Sequence, residues 1–588
     1  MSAGGRPERP APHWWRLGHR RDAADRRKSP AGGEASRPQP SNLLLDTTAL
    51  AGVLILAGFL GWLRRFQMNP DGISYLDIAD AYFQGAWAEA LNAYWSPLYS
   101  WILGLHFCLL HPSPYWEFAA AKLANGTIFL AAFFSFRFLL DELILYRHSK
   151  RSSCNTVAFS DSSLRILGYT IFVWISLKFF SLHVVSPDLL LACFVYLASG
   201  LLLRMARGRR GVLVYGALGV VCGFGYLAKT AFFPLTGVLL FCSLLCCKPV
   251  RTEWFKPLIA AAAFALVAMP FVARISMSTG HLTFGETGKL NYIKYVAHEE
   301  CRLDYPRAGT YKVGGSGRVI HRQPKVCEFA APPAETYPPH YDPSDWSDGL
   351  ATAFSPALQF QACLHNSARL LTVFLLCGSM VFPLALLLGM TFKAGVSWGE
   401  IKTYAIVLPP CLAAMAMYGM VLLLSRYVAH FLAVVLLCGF GFVHLGRCEK
   451  NVRLLRRCAL LTVGITAALI VIHCVLVAAL RRTDVHHHWQ VANQLQQSGL
   501  SPGDRVCVVG SGHREFWARL ARVQIAAEIE DRQDFQAASK LQRQEVYTAL
   551  RKAGITMVVT PAASECLPDE GWRNLPDGRY AALDLRRR

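Results

Sequence analysis

The sequence predicts a polytopic α-helical membrane protein that carries a small C-terminal α/β domain. Its 588 residues are 53% hydrophobic and only 17% charged, a more apolar composition than that of a soluble domain. Mean hydropathy is +0.30, and apolar runs of about 20 residues, the length that spans a bilayer core, recur through most of the chain. The net charge of +21 therefore indicates basic cytoplasmic loops, and we expect no nucleic-acid partner.

The apolar runs predict about eleven crossings within 43–480. The preceding residues 1–42 are rich in Arg, Pro, Gly and Ala, which predicts a disordered basic tail. Residues 97–110 are too few to span a core of about 30 Å at about 1.5 Å per residue, so we assign them to a juxtamembrane helix. The predicted crossings are 43–63, 116–140, 163–182, 187–203, 211–228, 231–247, 256–275, 368–392, 403–424, 427–446 and 457–480.

The distribution of basic residues predicts the orientation. When the N-terminus lies in the cytoplasm, every basic cluster between crossings falls on the cytoplasmic side, as the positive-inside rule requires. Loops 64–115 and 276–367 and the tail 481–588 then lie outside. We therefore expect a multi-pass protein of the inner (plasma) membrane with a cytoplasmic N-terminus and an extracytoplasmic C-terminus.

Two of these outer regions carry patterns of folded structure. Loop 276–367 contains the stretch ETYPPHYDPSDWSDG, whose aromatic residues predict a packed lid. In the tail 481–588, DRVCVVG and ITMVVT are typical of buried strands and flank a helical pattern, which predicts an α/β domain with a small parallel sheet. The segment GSGHRE, directly after the first strand, is interpreted as a tight turn. Cys301 and Cys327 form a candidate disulfide in the outer loop.

Acidic residues follow the first crossing directly. The stretch NPDGISYLDIADAY contains Asp71 and Asp77, beside the membrane and among aromatic residues such as Tyr75. One interpretation is that Asp71 caps a helix; the other is that a desolvated acid at this position acts as a base. We expect Asp71 to be catalytic, and Tyr75 and Asp77 to contact substrate.

Three further charged residues interrupt apolar segments on the same predicted face of the membrane. Asp188 follows a proline in VVSPDLLLACF, Lys229 lies within GFGYLAKTAFFPL, and Arg426 precedes a crossing in LLLSRYVAHF. A helix start is an alternative explanation of Asp188, and snorkelling is an alternative explanation of Lys229. The functional interpretation is a site in which the two cations hold a lipid phosphate.

In their order along the chain, the first-loop acid and the motifs YWSPLYSWILGL, SPDLLL, YLAKT and SRYVAHF resemble the GT-C class of integral-membrane glycosyltransferases. The sequence is most similar to bacterial proteins related to the protein O-mannosyltransferases and the lipid A aminoarabinose transferases. The resemblance implies a polyprenyl-phosphate-linked sugar donor in the membrane and a glycan, lipid or protein acceptor outside the cytoplasm. It implies catalytic roles for Asp71 and Asp188 and places Lys229 and Arg426 near the lipid phosphate. No partner acid and histidine stand out for a metal site, so a divalent metal cofactor is left open.

The resulting prediction is a membrane glycosyltransferase, with two alternatives from other functional classes. A transporter or flippase of a lipid-linked substrate usually places ionisable groups at mid-membrane depth. Charged residues within the predicted crossings, such as Lys122, Arg137 and Lys178, lie near the ends of crossings instead. The other alternative is a non-catalytic membrane scaffold whose tail domain binds a partner.

Overall fold

The membrane part of the protein consists of helices at the predicted crossings. The computed structural model describes residues 40–150, 156–180, 182–247, 249–297, 317–329, 335–343, 353–393, 406–479, 486–561, 568–576 and 578–587. The helices up to residue 479 are α1 Pro40–Leu63, α2 Pro70–Phe83, α3 Trp87–Ala90, α4 Pro97–Leu110, α5 Glu117–Lys150, α6 Asp161–Ile175 with a π-helical continuation Ser176–Phe180, α7 Asp188–Ala206, α8 Val212–Ala228, α9 Phe232–Leu245, α10 Val250–Glu253, α11 Lys256–Thr279, α12 Thr287–Tyr295, α13 Pro338–Tyr341, α14 Pro356–Leu376, α15 Gly378–Lys393, α16 Leu408–Met420, α17 Ser425–Phe442 and α18 Glu449–Ala479.

Every predicted crossing coincides with one of these helices or with the pair α14 and α15, and residues 97–110 form the separate short helix α4. Six of the described helices are long and apolar enough to cross a membrane, and a seventh span results when α14 and α15, bent by 88°, are counted together. Helices α8, α9 and α16 are apolar but shorter. The polytopic helical fold is thus confirmed.

Local sequence explains where the outer-loop helices begin and how closely the membrane helices approach. Helices α2 and α4 begin at Pro70 and Pro97, where the fixed proline φ suits the first turn and its missing N–H is not needed. Gly219 lets α8 pack directly against α11, since a Cβ at this position would clash with the backbone carbonyl of Ala260. The membrane domain therefore has a tightly packed interior that holds the ends of its helices in fixed positions.

The C-terminal domain is a mixed sheet with helices on both faces. Its seven strands, in spatial order, are β2 Gly317–Arg322, β3 Lys325–Phe329, β6 Gln524–Ile529, β5 Arg505–Val509, β7 Met557–Pro561, β9 Tyr580–Asp584 and β8 Arg573–Asn574. Its helices are α19 His487–Gln497, α20 Trp517–Ala521, α21 Arg532–Ala537 and α22 Lys540–Lys552. A separate two-stranded ladder joins β1 Thr156–Val157 to β4 Leu445–Gly446.

The centre of the sheet agrees with the sequence prediction and its edges differ from it. Strands β5 and β7, the two predicted strands, lie side by side and parallel. The strand pairs towards both edges of the sheet are antiparallel. The hairpin of β2 and β3 at one edge comes from loop 276–367. The outer loop therefore contributes to the same sheet as the tail. Cys301 lies outside the described residues, so its pairing with Cys327 of β3 stays a prediction.

A buried ion network joins the C-terminal domain to the membrane domain. Arg519 of α20 binds Asp77 through Nη1 at 2.7 Å, Asp80 through Nη2 at 2.6 Å and Glu117 through Nε at 2.6 Å. Arg522 binds the other oxygen of Glu117 at 2.5 Å. The side chains of Arg519, Asp77 and Glu117 are 4%, 1% and 0% exposed, so the centre of the network, which joins the two domains, is removed from bulk water.

Residues 335–343, the described part of the proline- and aromatic-rich stretch, pack between the two domains. The backbone N–H and the hydroxyl of Thr336 donate to Asp77, each at 2.9 Å, and the backbone of β6 donates to the Thr336 carbonyl at 2.9 Å. Ser74 of α2 donates its hydroxyl to the carbonyl of His340 at 3.0 Å. These contacts hold the His340 side chain over the end of α2.

Candidate active site

A cavity of about 500 Å³ lies between the ends of helices α2, α7, α8, α9 and α17, and residues of the outer loop and the C-terminal domain complete its wall. The predicted site residues that line it are Asp71, Tyr75, Asp188, Lys229 and Arg426. These residues come from four separate segments of the chain, since Asp71 and Tyr75 share α2, and all except Tyr75 stand at the end of a helix. The fold therefore collects almost the whole predicted set in one place.

Asp188 is the buried centre of the charged group. It is the first residue of α7, where the preceding Pro187 and the helix dipole favour an acid. Lys229 Nζ lies 2.6 Å from its Oδ1, and Arg426 Nε lies 3.2 Å from its Oδ2. The hydroxyl of Ser186 donates to Oδ2 at 3.1 Å. With a side chain only 2% exposed, Asp188 fixes the positions of both cations.

The two cations line the cavity from two different helices, Lys229 at the C-terminal end of α8 and Arg426 at the N-terminal end of α17. Lys229 directly follows the last residue of α8, and its ammonium lies 3.4 Å from the ring centroid of Tyr427, a cation–π contact. Arg426 is the second residue of α17, so the N-terminal dipole of that helix adds to its positive charge. This end of the cavity therefore has the charge and the donors to bind an anion such as a phosphate.

Asp71 lies in the first turn of α2, with looser contacts than those of Asp188. Its Oδ2 is 3.4 Å from Arg426 Nη2, and its Oδ1 is 3.5 Å from His340 Nε2. Burial alone would raise the pKa of this carboxyl, but the hydrogen bond of His340 and the positive charge of Arg426 outweigh burial and lower the pKa below its usual range. Asp71 is therefore ionised at neutral pH, and with a side chain 30% exposed it is accessible from the cavity.

The structure separates the two remaining predicted residues. Tyr75 lines the cavity and is held edge-on by Trp95 and Tyr99, with ring centroids 5.0 Å away in each case. Asp77 does not line the cavity. Its carboxylate accepts hydrogen bonds from Thr336 and Arg519 in the contact between the domains, so Asp77 stands outside the cavity in which we expected it to contact substrate.

Two histidines of the cavity wall were not among the predicted site residues. His340 contacts Asp71, and the ring of His513 lies 4.6 Å from that of His340 between centroids. Burial, followed by the charge of His340, lowers the pKa of His513 to about 3. GSGHRE does form a short turn, Gly512–Arg514, but the turn also presents His513 to the cavity. The sequence offered one signal for these histidines: His340 lies in the aromatic-rich stretch ETYPPHYDPSDWSDG, and His513 lies in the glycine-containing turn GSGHRE.

Comparison with solved structures identifies the fold. No protein-family model and no curated protein matches the sequence. The structure matches ArnT from Cupriavidus metallidurans in the apo state over 92% of this chain and 98% of that chain, at 13% identity and a TM-score of 0.51. It matches the same ArnT bound to undecaprenyl phosphate over 92% of this chain and 97% of that chain, at 12% identity and a TM-score of 0.52.

The chain has the ArnT fold. This agrees with the expected GT-C-like architecture, including the small sheet domain after the membrane helices. A further match is the Archaeoglobus fulgidus oligosaccharyltransferase in complex with Zn and sulfate, at 11% identity and a TM-score of 0.48, over 90% of this chain and 73% of that chain. Within the ArnT fold of this chain, the charged cavity lies at the contact between the membrane helices and the C-terminal domain.

The donor set of the cavity does not fit a divalent metal. Among the residues that the structure describes, no group of three or more His, Cys, Asp or Glu side chains is arranged to hold a metal ion. The two carboxylates of the cavity are already neutralised by cations, Asp71 by Arg426 and Asp188 by Lys229 and Arg426. A dication would meet these positive charges at close range, so we assign no step to a metal.

Proposed function

We propose that this protein is a glycosyltransferase that moves a sugar from a polyprenyl-phosphate donor to a hydroxyl acceptor on the extracytoplasmic side of the membrane. One observation carries the proposal: the carboxylate of Asp71 lies beside two partly buried cations, Lys229 and Arg426, in a cavity at the ends of membrane helices. The neighbour ArnT has been crystallised with undecaprenyl phosphate, a ligand of the donor class proposed here. The sugar and the acceptor are not specified by these residues.

Lys229 and Arg426 bind the donor phosphate in this proposal. Cleavage of the bond between the sugar carbon and the phosphate oxygen leaves both bonding electrons on that oxygen, so the phosphate gains negative charge in the transition state. Cations already fixed by Asp188 stabilise this charge without having to reorganise, and most strongly where water is scarce. Asp188 therefore acts as a positioning residue, because its own oxygens are bound to the cations and to Ser186.

Asp71 accepts the proton of the acceptor hydroxyl as its oxygen attacks the sugar carbon. The hydrogen bond of His340 and the charge of Arg426 lower the pKa of Asp71, which keeps the carboxylate ionised but makes it a weak base. A donor phosphate that binds Arg426 partly neutralises the guanidinium. The pKa of Asp71 then rises towards that of a useful base only when the donor is in place, so donor binding and base strength are coupled.

The proposal is tested with the full-length protein purified in lipid nanodiscs. The protein is incubated with a panel of undecaprenyl-phosphate-linked sugars and candidate hydroxyl acceptors, and the released undecaprenyl phosphate is quantified. We expect release with at least one donor, and a loss of release in the variant Asp71→Asn. A panel that includes pentoses, hexoses and amino sugars but yields no release above protein-free nanodiscs would contradict the proposal.

The proposed side of the membrane has a separate test. A cysteine introduced at the exposed Gln497 of the C-terminal domain should react with an impermeant maleimide added to intact cells. A cysteine introduced at Arg209, an exposed position at the opposite ends of the membrane helices, should react only after the membrane is opened. The reverse labelling pattern would place the cavity in the cytoplasm and overturn the orientation.

A further inference from the structure

A second group of cations lies on the other side of the short segment that joins α6 to α7. This segment contributes Asp188 and its neighbours to the cavity, and on its opposite side it contributes His183. Arg64, Lys122 and His473 lie around His183, and Lys178 lies near His473. We call these five residues the basic cluster. None of the five lines the cavity described above.

His183 is the centre of the basic cluster. Arg64, just beyond the end of α1, approaches its Nε2 through Nη1 at 2.9 Å. Since a guanidinium only donates hydrogen bonds, Nε2 accepts and carries no proton. Lys122 donates from Nζ to the backbone carbonyl of His183 at 2.7 Å. The Lys122 residue is only 5% exposed, so this ammonium is largely removed from bulk water.

The electrostatic surroundings of the basic cluster contain cations but no anion. Among the residues that the structure describes, none of the five forms an ion pair with an acidic side chain. Burial, followed by the positive charges of Arg64 and Lys122, lowers the pKa of His183 to about 3, and His473 adds to the same effect. Lys178 and Arg64 in turn lie within electrostatic range of His473. Buried positive charge without a counter-charge is unfavourable, and an anion would relieve it.

The basic cluster lies at the level where a membrane ends. Arg64 follows the span Leu43–Leu63, Lys178 lies in the last turn of the span Asp161–Phe180, and His473 lies near the end of the span Glu449–Ala479.

Aromatic residues of the same region form the kind of belt found at a membrane interface. Trp62 stacks on Trp116 with ring centroids 6.5 Å apart, and both rings are largely exposed. Below this level, α1 and α18 expose large apolar side chains, including Ile55 and Ile465. An acyl chain could lie along these side chains while its head group reaches the cluster.

We propose that the basic cluster is a binding site for the phosphate group of an anionic membrane lipid, separate from the donor cavity. Arg64 and Lys122 supply the main contacts, because both charged groups contact His183 directly. The aromatic belt and the exposed apolar faces of α1 and α18 favour a lipid over a soluble phosphate as the source of that group.

The test measures lipid binding to the full-length protein by native mass spectrometry. The protein in detergent is titrated with dioctanoyl phosphatidylglycerol and, separately, with dioctanoyl phosphatidylcholine. We expect a preference for the anionic lipid, and a loss of about tenfold in its affinity in Arg64→Gln, the change for one hydrogen-bonded charge. Lys122→Met should show a similar loss. Arg209→Gln, an equal change of charge at the opposite ends of the helices, is the control and should bind as the unchanged protein does.

The proposal would be overturned by equal binding of the two lipids, by unchanged phosphatidylglycerol affinity in a folded Arg64→Gln, or by loss of the preference in Lys229→Ala. The last result would assign the lipid to the donor cavity.

A competition experiment, in which inorganic phosphate is added to the complex of the protein with phosphatidylglycerol, distinguishes the two sources of the anion. Displacement of phosphatidylglycerol by inorganic phosphate at equal concentration would indicate a soluble phosphate site, whereas retention of the lipid supports the proposal. A thermal unfolding curve for each variant confirms that the protein measured is folded.

Discussion

Asp71 and Asp77 lie on the same helix, α2, in very different surroundings. The side chain of Asp71 is 30% exposed to the cavity, and its partners Arg426 and His340 stand 3.4 and 3.5 Å away. The side chain of Asp77 is 1% exposed, and Arg519 holds it at 2.7 Å while Thr336 donates two further hydrogen bonds. One acid can exchange its partners for a substrate, whereas the other cannot do so without leaving a buried charge unpaired.

In the proposed function, the same residue type thus serves chemistry in the first turn of a helix and assembly further along it. A reacting group must change its bonding during turnover, so loose contacts and access to a cavity are required of it. An anchoring group stabilises the structure only while its contacts are complete. The two acids of α2 thus provide matched variants in which charge and size change equally but the surroundings differ.

The comparison is tested most directly by Asp71→Asn. Asparagine preserves the size of the side chain and one acceptor oxygen but cannot take a proton, so turnover should fall by about 10²–10⁴-fold while the protein folds normally. Asp77→Asn is the matched control, and it should lower the free energy of unfolding while the turnover of folded protein stays near normal. Turnover at saturating donor and acceptor is measured beside a thermal unfolding curve. Near-normal turnover of Asp71→Asn would show that Asp71 only stabilises the first turn of α2.

Arg519→Met tests the anchoring side of the comparison. Methionine has a similar length but leaves Asp77, Asp80 and Glu117 without their shared cation, and breaking a buried pair in this way costs about 3–5 kcal/mol. We expect a lower free energy of unfolding and faster proteolysis between the two domains. Arg318→Met, which removes a single ion pair at 2.8 Å from an Arg side chain that is 74% exposed, is the control and should have little effect. Equal stability of the two variants would mean that the network does not hold the domains together.

The sequence predicted the helices and four of the charged residues of the cavity for simple physical reasons. Runs of apolar residues have to cross the membrane, and a charge that interrupts such a run has to be paired or used. Asp188, Lys229 and Arg426 were visible on this basis. The prediction for Asp71 rested on its position beside the first crossing.

The sequence could not separate Asp71 from Asp77, nor identify the histidines of the cavity. The partner that fixes Asp77 is Arg519, which lies 442 positions further along the chain in another domain. His340 and His513 stand in short irregular segments whose place depends on the packing of the two domains. Periodicity reports which face of an element is buried, but it does not report which distant segment will cover that face.

Lys229→Ala should have a smaller effect than Asp71→Asn, and of a different kind. The ammonium binds the donor phosphate before and during cleavage, so its removal should weaken donor affinity and lower turnover together, by about 10–100-fold in kcat/KM for one charged contact. Steady-state kinetics with varied donor give both parameters. Lys294→Ala, which removes another lysine of the cavity wall, is the control and should change kcat/KM less. A change confined to kcat would exclude Lys229 from the binding of the ground-state donor.

The smallest expected effect, His340→Gln, reports how the base is tuned. The Asp71 base works only when ionised, so activity is lost as the pH falls through the pKa of its carboxyl group. Because the hydrogen bond of His340 lowers that pKa, its removal should raise the pKa and move the acidic limb of the pH–rate profile to higher pH. At pH 8 the carboxylate is ionised in either protein, and turnover should differ by only about threefold. His513→Gln is the comparison variant and should move the limb less than His340→Gln does, because the charge of His513 contributes less than the hydrogen bond of His340 to the lowered pKa of Asp71. An unchanged limb in His340→Gln would mean that Arg426 alone sets the pKa of Asp71, and the outer loop would then shape the cavity without tuning its base.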